Sequence, residues 1–95
     1  MSLEFAWDRE KAASNQKKHR VTFEEAASVF ADPVAAIFDD ERHSDEEQCE
    51  IIIGQSAKKR LLLVSFTGRV GAIRIISARR ATTSERRDYE ENPRH

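Results

Sequence analysis

Apolar positions change their spacing several times along the 95-residue chain, and each change marks an element. Leu3 to Trp7 alternates apolar and polar positions and predicts a first strand. Asp8 follows as a helix N-cap, its carboxylate able to accept bonds from the free amides of the first turn. Arg9 to His19 is made of good helix formers with no Gly or Pro, and its apolar face is little more than Ala12 and Ala13. One side of that helix stays in water. A second helix is marked more clearly. Thr22 and Glu25 have the capping-box spacing, and Val21 with Ala26 forms the hydrophobic staple. Phe23, Ala26, Ala27 and Phe30 then fall at i, i+3, i+4 and i+7, one buried stripe. Pro33 ends the helix because it disfavours helical geometry in Asp32. Only Arg20 and Val21 separate the two helices, which must fold back on each other.

Beyond Pro33 the period shortens. Val34 to Phe38 predicts a strand, and Asp39 to Glu47 a polar acidic loop. Three more strands follow: Glu50 to Gln55, Leu61 to Thr67 and Ala72 to Ala78. The connections Ser56–Arg60 and Gly68–Gly71 are short and polar, as antiparallel hairpins require. The runs Ile51–Ile53 and Leu61–Val64 are continuous rather than alternating, which marks central strands covered on both faces. Thr82 and Glu85 form a second capping box that opens a last helix. It runs through Arg86, Arg87 and Tyr89, with residues 91–95 as a frayed tail. The order is β-α-α-β-β-β-β-α: an α+β chain with a single antiparallel sheet packed with helices. One domain is expected over residues 1–95, without repeat or linker.

Composition narrows the chemistry. A chain this short buries only roughly 60–68% of the surface its unfolded form exposes. Its hydrophobic fraction is 39% and its charged fraction 35%, against a globular apolar average of roughly 45–50%. A site belongs in a shallow cleft, and a deep cofactor pocket is not expected. Cys49, the lone cysteine, cannot form an intramolecular disulfide, and its acidic neighbour Glu50 opposes a reactive thiolate. No apolar run approaches the roughly 20 residues of a membrane span. The start Met1-Ser2-Leu3-Glu4 lacks a basic region and an apolar signal core, so a cytoplasmic location is expected. Charge is strongly segregated. From Asp32 to Glu50 eight acidic residues face one basic, Arg42, a net of −7; from Lys58 to Arg80 seven basic residues face no acidic ones, a net of +7. Such a basic segment attracts a polyanion, or else neutralises the acidic segment across the fold.

Among candidate metal ligands, His43 with Asp39, Asp40, Asp45, Glu46 and Glu47 has oxygen donors enough for a hard cation. It lacks the glycine and spacing of a calcium loop. No CxxC pair, HExxH helix, phosphate-cradling glycine loop or nucleophilic-serine elbow is present, and Gly54, Gly68 and Gly71 read as turn residues. No metal is expected. The basic residues remain. Lys17-Lys18-His19-Arg20 closes the first helix, where cations suit the negative end of the dipole. His19 is the histidine placed in an ordered helix, able to give or take a proton near neutral pH. Arg74 interrupts the apolar run Ala72-Ile73-Ile75-Ile76, so it is salt-bridged, solvated at a cleft or bound to an anion. Arg79 and Arg80 end that strand just before a capped helix start, a combination suited to a phosphate.

These residues resemble a known family. Phe5-Ala6-Trp7-Asp8 with Lys11 and Asn15, then Lys18-His19, then Phe23-Glu24-Glu25-Ala26, are similar to the first half of BrnT toxins. Arg74-Ile75-Ile76-Ser77-Ala78-Arg79, followed by Ala81, Glu85-Arg86 and Tyr89, is similar to the second half. The chain departs at Arg20, where the family usually has glycine, the residue suited to a left-handed helix cap. The resemblance implies a RelE-like fold and the toxin of a type II toxin-antitoxin module that cleaves RNA and halts translation. It implies neutralisation by a ribbon-helix-helix antitoxin, BrnA, through which alone the complex contacts operator DNA. It implies no cofactor and no membrane. The residues expected to act on RNA are His19 in proton transfer and Arg74 and Arg79 on the scissile phosphate. Lys18, Ser77 and Arg80 are expected to position substrate, and Trp7 to stack on a base or cap the core. A non-catalytic module binding nucleic acid or protein through the same cleft is the alternative.

Overall fold

The sheet grows outward from its most apolar strand. In this computed structural model, residues 4–39 and 49–91 are described. The strands are β1 Glu4–Ala6, β2 Ala36–Asp39, β3 Glu50–Gln55, β4 Leu61–Arg69 and β5 Ala72–Arg80, and the helices are α1 Arg9–His19, α2 Phe23–Ser28 and α3 Thr83–Glu91. Their lateral order is β1-β5-β4-β3-β2, which puts β4 at the centre. The continuous apolar runs of β3 and β4 are indeed covered on both faces. The fold is α+β as expected, with one correction: the sheet is mixed. β1 lies parallel to β5, Phe5 opposite Ile73, because these strands are joined by crossing the fold rather than by a hairpin.

Two apolar clusters lie on opposite faces of the sheet. The larger joins Val21, Phe23, Ala26 and Val29 to Ile52, Leu62, Val64, Phe66, Ile73, Ile75 and Ala78. Burying a side chain such as Phe23, Leu62 or Ile75 contributes about 1.5–3 kcal/mol. Phe30 links β1 to this core, its ring 5.3 Å from Phe5 and 5.0 Å from Phe66. The smaller cluster, Ala36, Ile53 and Leu61, receives Ala81 and Tyr89 and seats α3 on the other face. None of the described helices is long and apolar enough to cross a membrane.

Three boundaries differ from the sequence pattern, each for a local reason. The α-helical part of the second helix stops at Ser28 and tightens into a 3₁₀ turn, Val29–Ala31, before Pro33. β2 begins at Ala36 rather than Val34, since the Asp32 carboxylate accepts the Val34 N–H at 3.0 Å and its carbonyl accepts the Ala35 N–H at 3.2 Å, holding a turn. Gly54 lies within β3 and not in a turn: a Cβ there would come 2.8 Å from the Ala35 Cβ and 2.9 Å from Asp32 Oδ2. Close approach, not a turn, requires this glycine. The acidic loop at 40–48, with His43, and the tail at 92–95 lie outside the described residues.

Candidate active site

β5 carries most of the expected site residues, and a bulge decides which way they face. Ile73 and Ile75 point into the larger core, so Arg74 points to the opposite face. Strict alternation would then turn Ser77 and Arg79 inward. Instead Phe66 pairs with Ile75 while Ser65 pairs with Ser77, leaving Ile76 as an extra residue. The alternation resets. Ala78 becomes the buried position, and Arg74, Ser77 and Arg79 share one face opposite Thr67, Ser65 and Leu63 of β4. Thr67, Ser65 and Leu63 are spaced two residues apart, so their partners follow one another at about 7 Å along the strand.

Where β1 stops, the edge of β5 would be bare, and α1 closes it through Asn15. The Asn15 amide donates to the carbonyls of Ala78 at 2.9 Å and Val21 at 3.0 Å, and its oxygen accepts the Ala78 N–H at 3.0 Å. It stands in for a strand residue. Asn15 is the one buried residue of α1, only 6% exposed. One turn further on, this clamp brings Lys18 and His19 beside Ile76 and Ser77, across an open cleft of about 330 Å³ whose wall also holds Lys11. Sequence spacing gave no sign that Asn15 would be the residue joining the two halves.

The remaining expected residues are placed differently. Arg74 is partly buried and, among the described residues, has no carboxylate partner. Arg79 is engaged: its guanidinium donates two parallel bonds to Glu85, at 2.9 and 2.8 Å. The same carboxylate accepts the Thr82 N–H at 2.8 Å. Glu85 thus occupies the place where guanidinium and helix-start amide were expected to hold a phosphate. The Arg79 guanidinium and, secondarily, the Thr82 N–H bring its pKa down to about 2 against the opposing effect of burial. Arg80 is exposed at the strand end. Trp7 packs edge-on against Phe23, ring centroids 5.9 Å apart, against the core. Among the described residues no group of three His, Cys, Asp or Glu side chains is placed to hold a metal ion.

A buried network supports the turn after His19. Arg20 adopts the left-handed conformation, φ 59° and ψ 35°, that a glycine would take more easily, and its N–H caps the helix on Gln16. Its carbonyl accepts a bond from Arg60 at 3.1 Å, and Arg60 also pairs with the buried Glu25 carboxylate, its Nε at 2.9 Å. Ser56 donates to Glu25 at 2.7 Å. The Arg60 bond holds the Glu25 pKa below its ordinary value despite burial. This contact between the β3–β4 hairpin and the end of α1 was not foreseen from the sequence.

A family profile described as "Ribonuclease toxin, BrnT, of type II toxin-antitoxin system" matches residues 7–85. The chain belongs to the BrnT family. The crystal structure of the Brucella abortus ribonuclease toxin BrnT superimposes with a TM-score of 0.67 over 86% of this chain and 100% of that one, at 21% sequence identity. At that identity the likeness is one of fold. No curated protein matches by sequence. The BrnT profile spans both sides of the cleft, from Trp7 through the clamp at Asn15 to Glu85. Membership in a toxin family of type II systems also makes an antitoxin the partner of this BrnT chain.

Proposed function

We propose that this BrnT-family toxin is a metal-independent endoribonuclease whose RNA cleavage inhibits translation in the cytoplasm. Its antitoxin, in this reading, is a ribbon-helix-helix protein of the BrnA type that alone carries the pair to operator DNA. The observation that supports it most is the α1–β5 cleft, which sets His19 and Lys18 against Ser77, itself turned by the bulge onto the same face as Arg74. Cleavage without a cofactor has three tasks. The 2′-hydroxyl loses a proton as its oxygen bonds to phosphorus, the crowded phosphorus carries extra negative charge, and the departing 5′-oxygen gains a proton as its bond breaks. The products are a 2′,3′-cyclic phosphate and a 5′-hydroxyl. His19 carries one of the proton transfers, Arg74 and Lys18 hold and stabilise the phosphate, and Ser77 positions it.

A non-catalytic binding module built on the same fold is the second reading, and the pairing of Arg79 with Glu85 favours it by removing one expected phosphate ligand. Purified protein incubated with single-stranded RNA in EDTA separates the two. Cleavage leaving 5′-hydroxyl ends is expected. His19→Gln should slow it by roughly 100- to 10,000-fold, the range for losing a general acid or base, with an unchanged melting temperature. Binding without cleavage would replace the enzyme reading, and full activity of folded His19→Gln would move the site.

A further inference from the structure

On the far side of the α1 C-terminal turn lies a second groove, of about 520 Å³, open to solvent. Its cations come from two separate elements. Lys17 and Arg20 belong to the end of α1, and Lys58 to the β3–β4 hairpin. Lys17 alone would be explained by the helix dipole. Lys58 would not, since its hairpin reaches the helix end only through the buried contacts of Glu25, Ser56 and Arg60. The groove holds one carboxylate, Glu25, which is 5% exposed and already ion-paired with Arg60. Among the described residues the side chains of Lys17, Arg20 and Lys58 form no salt bridge, although Lys58 lies near enough to Glu25 to help Arg60 hold that carboxyl below the usual range. Among the described residues, three cations outside any salt bridge converge on an open surface whose one carboxylate is already paired with Arg60.

We infer that this groove binds the phosphate backbone of single-stranded RNA flanking the segment held in the His19 cleft. The inference rests on the ribonuclease reading. Lys17 and Arg20 adjoin Lys18 and His19 in the chain, so a strand leaving one cleft crosses the helix end into the other. The contacts are backbone contacts: flexible ammonium groups and a guanidinium meet phosphates without reading bases.

The test is equilibrium binding of a 2′-deoxy oligonucleotide, which cannot be cleaved, by the full chain at several salt concentrations. The variant combines Lys17→Gln, Arg20→Asn and Lys58→Gln; asparagine tolerates the left-handed backbone at position 20. Each lost phosphate contact lowers the slope of log affinity against log salt by about 0.7, so the triple variant should lose about 2 from the slope. At 0.1 M salt that is roughly fivefold per contact, on the order of 100-fold in all. Arg87→Gln, which removes an exposed cation of α3 paired with Glu91, serves as control and should leave the slope unchanged. A folded triple variant with wild-type slope and affinity overturns the groove, while RNA cleavage by the wild type leaves the enzyme reading standing. Unchanged RNA binding with weakened antitoxin binding would also overturn it, in favour of a protein-docking surface. Reduced slope in a chain that binds but does not cleave would support the groove and remove the enzyme.

Discussion

Glu25 and Glu85 occupy the same position in the same sequence motif, three residues after a threonine N-cap, and they end in different surroundings. Glu85 completes its capping box: it accepts the Thr82 N–H, and its own N–H donates to the Thr82 hydroxyl at 3.2 Å. Glu25 completes half of one. Its N–H donates to the Thr22 hydroxyl at 3.1 Å, but its carboxylate turns into the protein to meet Arg60 and Ser56. Burial separates them. The Glu25 side chain is 2% exposed and that of Glu85 28%. A local motif therefore specifies where a helix begins, while the partner of its carboxylate is decided by what the rest of the chain brings near. Glu25 fastens a hairpin to a helix end, and Glu85 fastens α3 to β5.

The largest difference should appear in stability. Glu25→Ala strands Arg60 and unfastens the hairpin from the turn after His19. Breaking a buried pair typically costs about 3–5 kcal/mol. Because Arg60 is 26% exposed on its side chain, the lower end is expected, read by denaturant unfolding. A loss below 1 kcal/mol would erase the contrast with Glu85.

The two arginines on the same face of β5 sharpen the comparison next. Arg74→Lys should leave the melting temperature unchanged and slow RNA cleavage by roughly 100- to 1,000-fold, as for a lost contact to transition-state charge. Arg79→Lys removes the two-pronged bond to Glu85 and should lower stability, with activity falling only as far as the fold loosens. Measuring melting and cleavage on both variants decides; the opposite pattern would return the phosphate to Arg79.

The smallest effect concerns acid. The folded pKa of Glu85 is depressed from 4.5 to about 2, chiefly by Arg79. Its contribution is fully present above pH 4.5 and is lost as pH falls toward 2. The pair is partly exposed, so about 1 kcal/mol is at stake. Glu85→Gln should remove that part of the acid dependence of unfolding and leave the rest intact. An unchanged acid profile would show that the pair is too well solvated to matter.

Much of the fold was legible because its signals are local. Asp8 caps α1 as its side chain suggests, accepting the Glu10 N–H at 2.7 Å, and β3 spans the residues its apolar run marks. What escaped is what depends on neighbours distant in the chain. The parallel pairing of β1, the role of Gly54 and the Asn15 clamp are all made by contacts across many residues, and no periodicity encodes them. The site was legible in part: Lys18, His19 and Ser77 do share a cleft. Arg79 was read as a phosphate ligand and Glu85 only as a cap, so the ion pair between them was not foreseen.

The extra residue in β5 bears on how such a chain can change over evolution. Ile76 is taken up by the bulge, so Ser77 and Arg79 keep the face they would have in a strand one residue shorter. Deleting Ile76 would close the ladder between Phe66–Ile75 and Ser65–Ser77 and leave Ser77 and Arg79 facing outward, whereas ironing the bulge flat with Ile76 in place would turn both inward. A lineage can therefore gain or lose one residue at this point and keep its site on the same face, because the bulge takes up the difference.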